Sequence, residues 1–214
     1  MHSLTPAPSV LLCVAAALAA YLLAGINPAI ILSRRLFHAD IRHFGSRNPG
    51  FTNFLRHFGD AAWVIFVVDI AKGFLLSFLT GLLYRRFFGL FHLGAACACL
   101  AAMLGHAYPV WYGFRGGKSV AVFAGAIWCV DWRVGLVAAA VLFTMLAVKR
   151  YMSLAVLCAS GVTPFALLFW GTEHPGVLIL NFLSVALLFW RHRENIRRLR
   201  QGTENRFSLR PKKK

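Results

Sequence analysis

The sequence predicts an all-α, polytopic membrane protein with seven transmembrane helices, its N-terminus outside and its C-terminus inside. Three observations carry that expectation. The chain of 214 residues is 59% hydrophobic, with a mean hydropathy of +0.65. Its charges gather at the ends of apolar runs, as they do where lipid is the solvent. Its basic residues also divide unevenly between the two faces those runs define.

Seven apolar runs can be marked, roughly 10–32, 61–83, 88–105, 119–130, 133–148, 152–170 and 176–190. The first, second, third and sixth approach or exceed the ~20 residues that span a hydrocarbon core. The fourth is short, and alone it fits a re-entrant segment. Charge decides. With seven crossings, one face receives nineteen basic residues and the other only Arg85, Arg86 and Arg133, with Lys72 inside a span. Without the fourth crossing, the ten basic residues after the last run would land opposite the five of the first loop. No basic residue precedes the first run, so it reads as an uncleaved span rather than a signal peptide. Residues 1–207 then form a single integral-membrane domain, and 208–214 a basic C-terminal tail.

The excess of 23 basic over 7 acidic residues flanks apolar runs and forms no soluble patch. Nucleic acid is therefore not an expected partner, whereas anionic lipids and anionic substrates are. All five cysteines lie inside apolar runs and read as small buried hydrophobes. The chain carries no His/Cys metal spacing, no carboxylate pair for glycoside chemistry and no Gly-x-Ser-x-Gly elbow. Asp69 and Lys72 stand midway through the second run at i, i+3. Mutual pairing inside the bundle is the simplest account, and a proton or ion path the alternative.

Three polar constellations remain. The loop FGSRNPGFTNFLRHFGD, 44–60, offers flexible backbone, hydroxyls and amides from Ser46, Asn48, Thr52 and Asn53, with Arg47 and Arg56 as fixed cations. Glycine-rich turns with such side chains form phosphate cages, although an ordinary Asn-Pro-Gly turn is the plainer account. The segment GHAYPVWYGFRGGKS, 105–119, ends in Gly-Lys-Ser. It misses the P-loop spacing, because Tyr112 stands where the first glycine belongs. Gly116, Gly117 and Lys118 instead open the fourth run, where free N–H groups and the helix dipole favour an anion. A snorkelling boundary lysine is the alternative, and His106 reads as structural. The segment WRHRENIRRLRQGTENRF, 190–207, is expected to be helical, with His192, Asn195, Ile196 and Leu199 on one face. Glu194 and Arg198 suit an i, i+4 pair, and most of its arginines suit anionic lipid. Under the charge-derived topology all three segments emerge on one side of the membrane. There they suit a phosphate-bearing substrate and a proton transfer.

GSRNPGFTNFLR, GHAYPVWYGFRGGKSVA and RHRENIRRLRQGTE resemble, in order and spacing, the three signature motifs of bacterial acyl-phosphate-dependent glycerol-3-phosphate acyltransferases (PlsY type). The resemblance runs over roughly residues 8 to 206 and includes the seven-span layout. It implies an enzyme of the bacterial inner membrane with its active site on the cytoplasmic side. Such an enzyme moves a fatty acyl group from acyl phosphate to the 1-hydroxyl of glycerol 3-phosphate, giving lysophosphatidic acid and phosphate without metal or cofactor. By motif match, Ser46, Arg56 and Lys118 would contact phosphate, with Gly116 and Gly117 beside the lysine and Asn48, Thr52 and Asn53 shaping the first loop. His192 and Asn195 would lie beside the acceptor, and Glu204 would close the third motif. The chain departs from the family's usual pattern at Arg47 and Ser119, where glycine is usual, and at Phe51, where a small residue is usual.

Acyl phosphate is already activated, so direct transfer without a covalent intermediate needs mostly positioning and charge stabilisation. His192 is one candidate for the proton acceptor and a substrate phosphate oxygen is the other. Two different readings compete with the enzyme: a transporter for a phosphorylated solute, using Asp69 and Lys72, and a catalytically inactive relative.

Overall fold

The computed structural model describes residues 6–208, and every regular element among them is a helix. Of the expected basic tail, everything beyond Ser208 lies outside the described residues. The apolar runs fold as α1 (Pro6–Ala24) with α2 (Pro28–Leu36), α4 (Ala62–Phe88), α5 (Phe91–Ala107), α6 (Val120–Val130), α7 (Trp132–Lys149), α8 (Met152–Gly161) with α9 (Thr163–Trp170), and α10 (Pro175–Arg191). Two short helices serve the polar segments: α3 (Phe51–Phe58) in the first loop and α11 (Arg193–Arg200) after α10. Asn27 and Pro28 set the break between α1 and α2, since Asn27 caps α2 by accepting from the Ile30 amide at 3.1 Å. A proline at the first helical position needs no such partner.

Among the described residues, five helical segments are long and apolar enough to cross a membrane. They are α1–α2 from Leu11, α3–α4, α5 with the turn after it, α7, and α8–α9. Helices α10 and α11 make a sixth if the pair, bent by 58°, is counted as one. Helix α6 is short, at 11 residues. Large apolar side chains such as Val67, Phe143, Phe165 and Phe169 face outward, as the bilayer requires of a multi-pass protein.

Helices α4, α5 and α6 form the tightly packed centre, with Met103, Val122 and Ala126 fully buried. Backbones touch there because side chains are missing. A Cβ on Gly73 would lie 2.0 Å from the Val122 carbonyl oxygen, and one on Gly125 would lie 2.0 Å from that of Ile70. Van der Waals contact of this kind drives helix association in lipid.

The connections sort to two ends of the bundle. At one end, Arg42 of the first loop donates to the Tyr112 carbonyl (3.1 Å), and Ser153 to Glu204 (2.9 Å). At the other, Glu173 accepts from the Leu93 amide (3.0 Å), and His92, Asp131, Arg133 and Glu173 share one small cleft. Helix α6 therefore starts at the first end and finishes at the second.

Candidate active site

The first loop is fastened at three points. Asn27 Nδ2 donates to the Pro49 carbonyl (3.3 Å). Asn53, buried on α3, accepts from the Ser46 amide (3.1 Å) and donates to the Phe44 carbonyl (3.0 Å). Arg42 reaches the 110–115 turn and pairs with Asp40 at 2.8 Å. Hydrogen bonding from Arg42 holds the Asp40 carboxyl well below the usual carboxylate range. So held, the loop turns Ser46, Arg47 and Asn48 toward a cleft of about 140 Å³. Arg47 sits at φ 57°, in the left-handed region.

Gly116 and Gly117 pack directly on the end of α5. Their amides donate to the carbonyls of Ala107 (3.2 Å) and His106 (2.9 Å). A Cβ on Gly116 would meet the His106 carbonyl oxygen at 2.1 Å, and one on Gly117 the His106 ring at 2.2 Å. This corrects the expectation that their N–H groups are free for phosphate: both are spent within the protein, and the glycines serve close approach. Their carbonyls accept from Arg191, at 2.9 Å and 3.1 Å. The resulting arch carries Lys118, whose ammonium donates to Asn195 Oδ1. Burial, assisted by Arg198, pushes Lys118 down to about 8. Ser119, at φ 63°, donates its hydroxyl to the Met103 carbonyl (2.6 Å).

The chain bends at His192 between α10 and α11. The face expected from spacing forms, with His192 and Asn195 buried and Ile196 and Leu199 half-buried. His192 Nδ1 lies 2.8 Å from the Leu188 carbonyl. A carbonyl only accepts, so Nδ1 carries the proton and Nε2 the lone pair. Burial and the Lys118 ammonium push His192 down to about 4, so it is neutral at physiological pH. Asn195 Nδ2 donates to Glu204 Oε1 (2.7 Å). Arg198 does not pair with Glu194 as its spacing suggested; it turns to Glu204 at 2.7 Å. Burial alone would raise Glu204, but hydrogen bonds from Asn195, Arg198 and Ser153 outweigh it and lower the carboxyl.

Of the residues singled out from sequence, Ser46, Asn48, Gly116 and Lys118 line the cleft. Asn195 and Glu204 reach it through Lys118. Asn53 braces the loop from behind. Thr52 and Arg56, half-buried on α3, are not among the lining residues. Arg47, Arg191, Arg193 and Arg198 are; sequence reasoning had left most arginines after α10 to lipid. The signal for Arg191 was its place at the end of an apolar helix, on the side where the other polar segments emerge. Five cations and the Glu194 carboxylate surround one small opening; such a cationic set suits phosphate, and arginines suit bidentate contact with it.

The model of the family described as glycerol-3-phosphate acyltransferase matches residues 14–202. The glycerol-3-phosphate acyltransferase of Burkholderia ambifaria is 40% identical over 193 residues, covering 89% of each chain. That of Maricaulis maris is 40% identical over 202 residues, or 92% of this chain and 88% of its own. The crystal structure of PlsY (YgiH), an integral membrane glycerol 3-phosphate acyltransferase, matches in its glycerol 3-phosphate form with a TM-score of 0.83 and 34% identity. That match covers 92% of this chain and 96% of the other. The lysophosphatidic acid form of the same protein matches with a TM-score of 0.80 and 33% identity.

Proposed function

This chain belongs to the glycerol-3-phosphate acyltransferase family, and from that premise we propose how its cleft performs the reaction. It is an integral membrane acyltransferase of phospholipid synthesis whose acceptor is glycerol 3-phosphate and whose product is lysophosphatidic acid. The donor is acyl phosphate and the attacking group the 1-hydroxyl. One observation carries this: Lys118, held by Asn195 and Glu204, meets Ser46, Arg47, Arg191 and Arg198 in a single cationic cleft.

The hydroxyl oxygen forms a bond to the acyl carbon, and the bond from that carbon to the phosphate oxygen breaks. Lys118, Arg191 and Arg198 stabilise phosphate before and during departure. Ser46 and Asn48 complete its hydrogen bonds, and Asn53 fixes Ser46. His192 Nε2 accepts a hydrogen bond from the hydroxyl and so aims it. The proton leaves with the phosphate, since burial and the neighbouring Lys118 ammonium make His192 a poor proton acceptor. Ser46 binds and does not attack.

Residues 1–207 act as one domain in the bacterial inner membrane, surrounded by lipid. Its seven crossings are α1–α2, α4, α5, α6, α7, α8–α9 and α10, with the cleft on the cytoplasmic side. The end-to-end course of α6 and the nineteen-to-three division of basic residues support this layout. Helix α6 covers only about 16 Å at 1.5 Å per residue, so Lys118 sits sunk in the bundle, where a lipid-borne acyl group and a water-borne acceptor can meet. Irregular backbone at such depth is tolerated when protein surrounds it, as it surrounds Gly116, Gly117 and Ser119.

The test is acyl transfer by purified protein. Acyl phosphate with glycerol 3-phosphate is expected to yield lysophosphatidic acid and phosphate without ATP, and acyl-CoA to be used poorly. Equal or better use of acyl-CoA would overturn the donor assignment.

A further inference from the structure

One cluster of buried ionisable groups takes no part in the chemistry above. Asp69 and Lys72 on α4 form an ion pair at 2.8 Å, with side chains 4% and 12% exposed. This answers the pairing that their spacing suggested, but the pair is not closed on itself. Lys72 Nζ also donates to the Ile26 carbonyl (3.2 Å) and to His106 Nδ1 (3.1 Å). An ammonium only donates, so Nδ1 accepts and the ring proton of His106 sits on Nε2. Nε2 is the atom that faces Gly117, since a Cβ there would stand 2.2 Å from it.

Each partner of Lys72 leads to one lip of the cleft. Ile26 precedes Asn27, whose amide holds Pro49 in the first loop, next to Asn48. His106 supports the arch twice, by its ring under Gly117 and by its carbonyl on the Gly117 amide (2.9 Å). The next residue is Lys118. The Gly117 carbonyl is also the one that Arg191 grips at 3.1 Å, and Arg191 lies over the Tyr108 ring at 5.0 Å. A buried ion pair is a poor way to stabilise a bundle, because apolar residues of like volume serve as well or better. Intramembrane charges are kept for what they do.

We infer that Asp69, Lys72 and His106 form a positioning node for the acyl transfer, setting Lys118 and the first loop at their working separation. The node touches no substrate. It acts through Lys118 on one side and the Asn27–Pro49 contact on the other, so the inference rests on the functional reading given above.

Two variants test it on purified, monodisperse protein in detergent, each with thermal unfolding measured beside kinetics. His106→Asn keeps an acceptor near the Nδ1 position for Lys72 and removes the ring under Gly117. Asp69→Asn combined with Lys72→Met replaces the ion pair by neutral groups of similar volume. A misplaced catalytic lysine lowers kcat/KM by about ten- to a hundredfold, with Tm near that of the wild type. In a Lys118→Ala background, His106→Asn is expected to cost less than about twofold more, since coupled residues do not add. Wild-type kcat/KM in both variants, with only Tm altered, would show a structural pair and overturn the inference. So would a full, multiplicative loss on top of Lys118→Ala. If His106→Asn does not fold, the neutral pair decides by the same two readouts. Wild-type protein that turns over no acyl phosphate would instead remove the functional reading on which the node depends.

Discussion

Lys118 and Asn195 stand 77 residues apart and are joined by a hydrogen bond from ammonium to amide oxygen. That contact ties the second polar segment to the third, and it makes the lysine's charge state a property of the assembled cleft. Burial pushes Lys118 down to about 8, so the group is cationic below that pH and neutral above it. kcat/KM, which reports the free enzyme, is expected to fall as pH rises through about 8. Lys118→Arg should abolish this limb, because guanidinium does not titrate there. It should still turn over slowly, since a planar fork replaces a compact point charge. Lys118→Ala removes a contact of roughly 1.5–3 kcal/mol, or about ten- to a hundredfold in kcat/KM. An unchanged alkaline limb in Lys118→Ala would assign it to another group.

Glu204 holds Asn195, Arg198 and Ser153 at once. Glu204→Ala leaves those donors without their shared acceptor and frees the Asn195 amide to turn its oxygen from Lys118. Stability should drop by about 2 kcal/mol, allowing for the partly exposed Arg198. Activity per folded molecule should fall about tenfold as Lys118 loses its orientation. Glu204→Gln, which retains one acceptor oxygen, is expected to lie between. Thermal unfolding and kcat/KM on the same preparations check the order; an active Glu204→Ala enzyme would detach Glu204 from the site.

How much of this was legible in the sequence follows from what each feature depends on. Helix positions were legible because hydrophobicity is a local quantity, and the side shared by the three polar segments because charge asymmetry records it. The face with His192 and Asn195 followed from helical period. The amides of Gly116 and Gly117 were misjudged, because they pair with α5 carbonyls in an irregular return that no periodicity announces. Arg198 was misassigned for a similar reason: an i, i+4 partner is visible in sequence, whereas the folding back of Glu204 is not. Glu204 itself came only through resemblance to the family.

Arg47 and Ser119, at positions where the resemblance implies glycine, both have positive φ, at 57° and 63°. Each holds the left-handed conformation without being glycine, at a cost of roughly 1–2 kcal/mol per residue. Arg47→Gly relieves that strain and gives back about 0.4–1 kcal/mol through a looser unfolded chain, so Tm should hold or rise, with turnover retained. Ser119→Gly forfeits as well a buried hydroxyl bond to Met103, worth about 1 kcal/mol, and should gain nothing. Parallel melting curves of the two variants distinguish them. Loss of more than about tenfold in activity for Arg47→Gly would make this arginine a working part of the phosphate site.

Phe51, where the resemblance implies a small residue, packs on Trp63 and Phe66 with ring centroids at 5.0 Å and 5.1 Å. It fastens α3 to α4 and does not line the cleft. Phe51→Ala should cost about 1–3 kcal/mol of stability and leave kcat/KM per folded molecule unchanged. A kinetic defect at normal stability would mean that the seating of α3 sets the loop bearing Ser46.

The membrane layout admits the sharpest test, because α6 is both the shortest crossing and the one that fixes parity. Asp131 at its far end shares a cleft with His92 and Glu173, while Lys118 at its near end meets Asn195. If α6 crosses, Thr172 lies on the outer side of the membrane and Arg197 on the inner side, both of them exposed. Single cysteines at these positions, in a chain otherwise free of cysteine, should then label asymmetrically in intact cells. A membrane-impermeant thiol reagent is expected to reach Thr172→Cys from outside, and Arg197→Cys only after permeabilisation. A reporter fused after Lys214 should read cytoplasmic and one at the N-terminus external. The reverse pattern, with Arg197→Cys reached from outside and Thr172→Cys only after permeabilisation, would turn α6 into a re-entrant segment. It would also leave the ten basic residues after α10 facing away from the five of the first loop, against the charge rule. The bundle would then have to be described afresh, because the contacts joining Lys118 to α11 demand that those segments share a side.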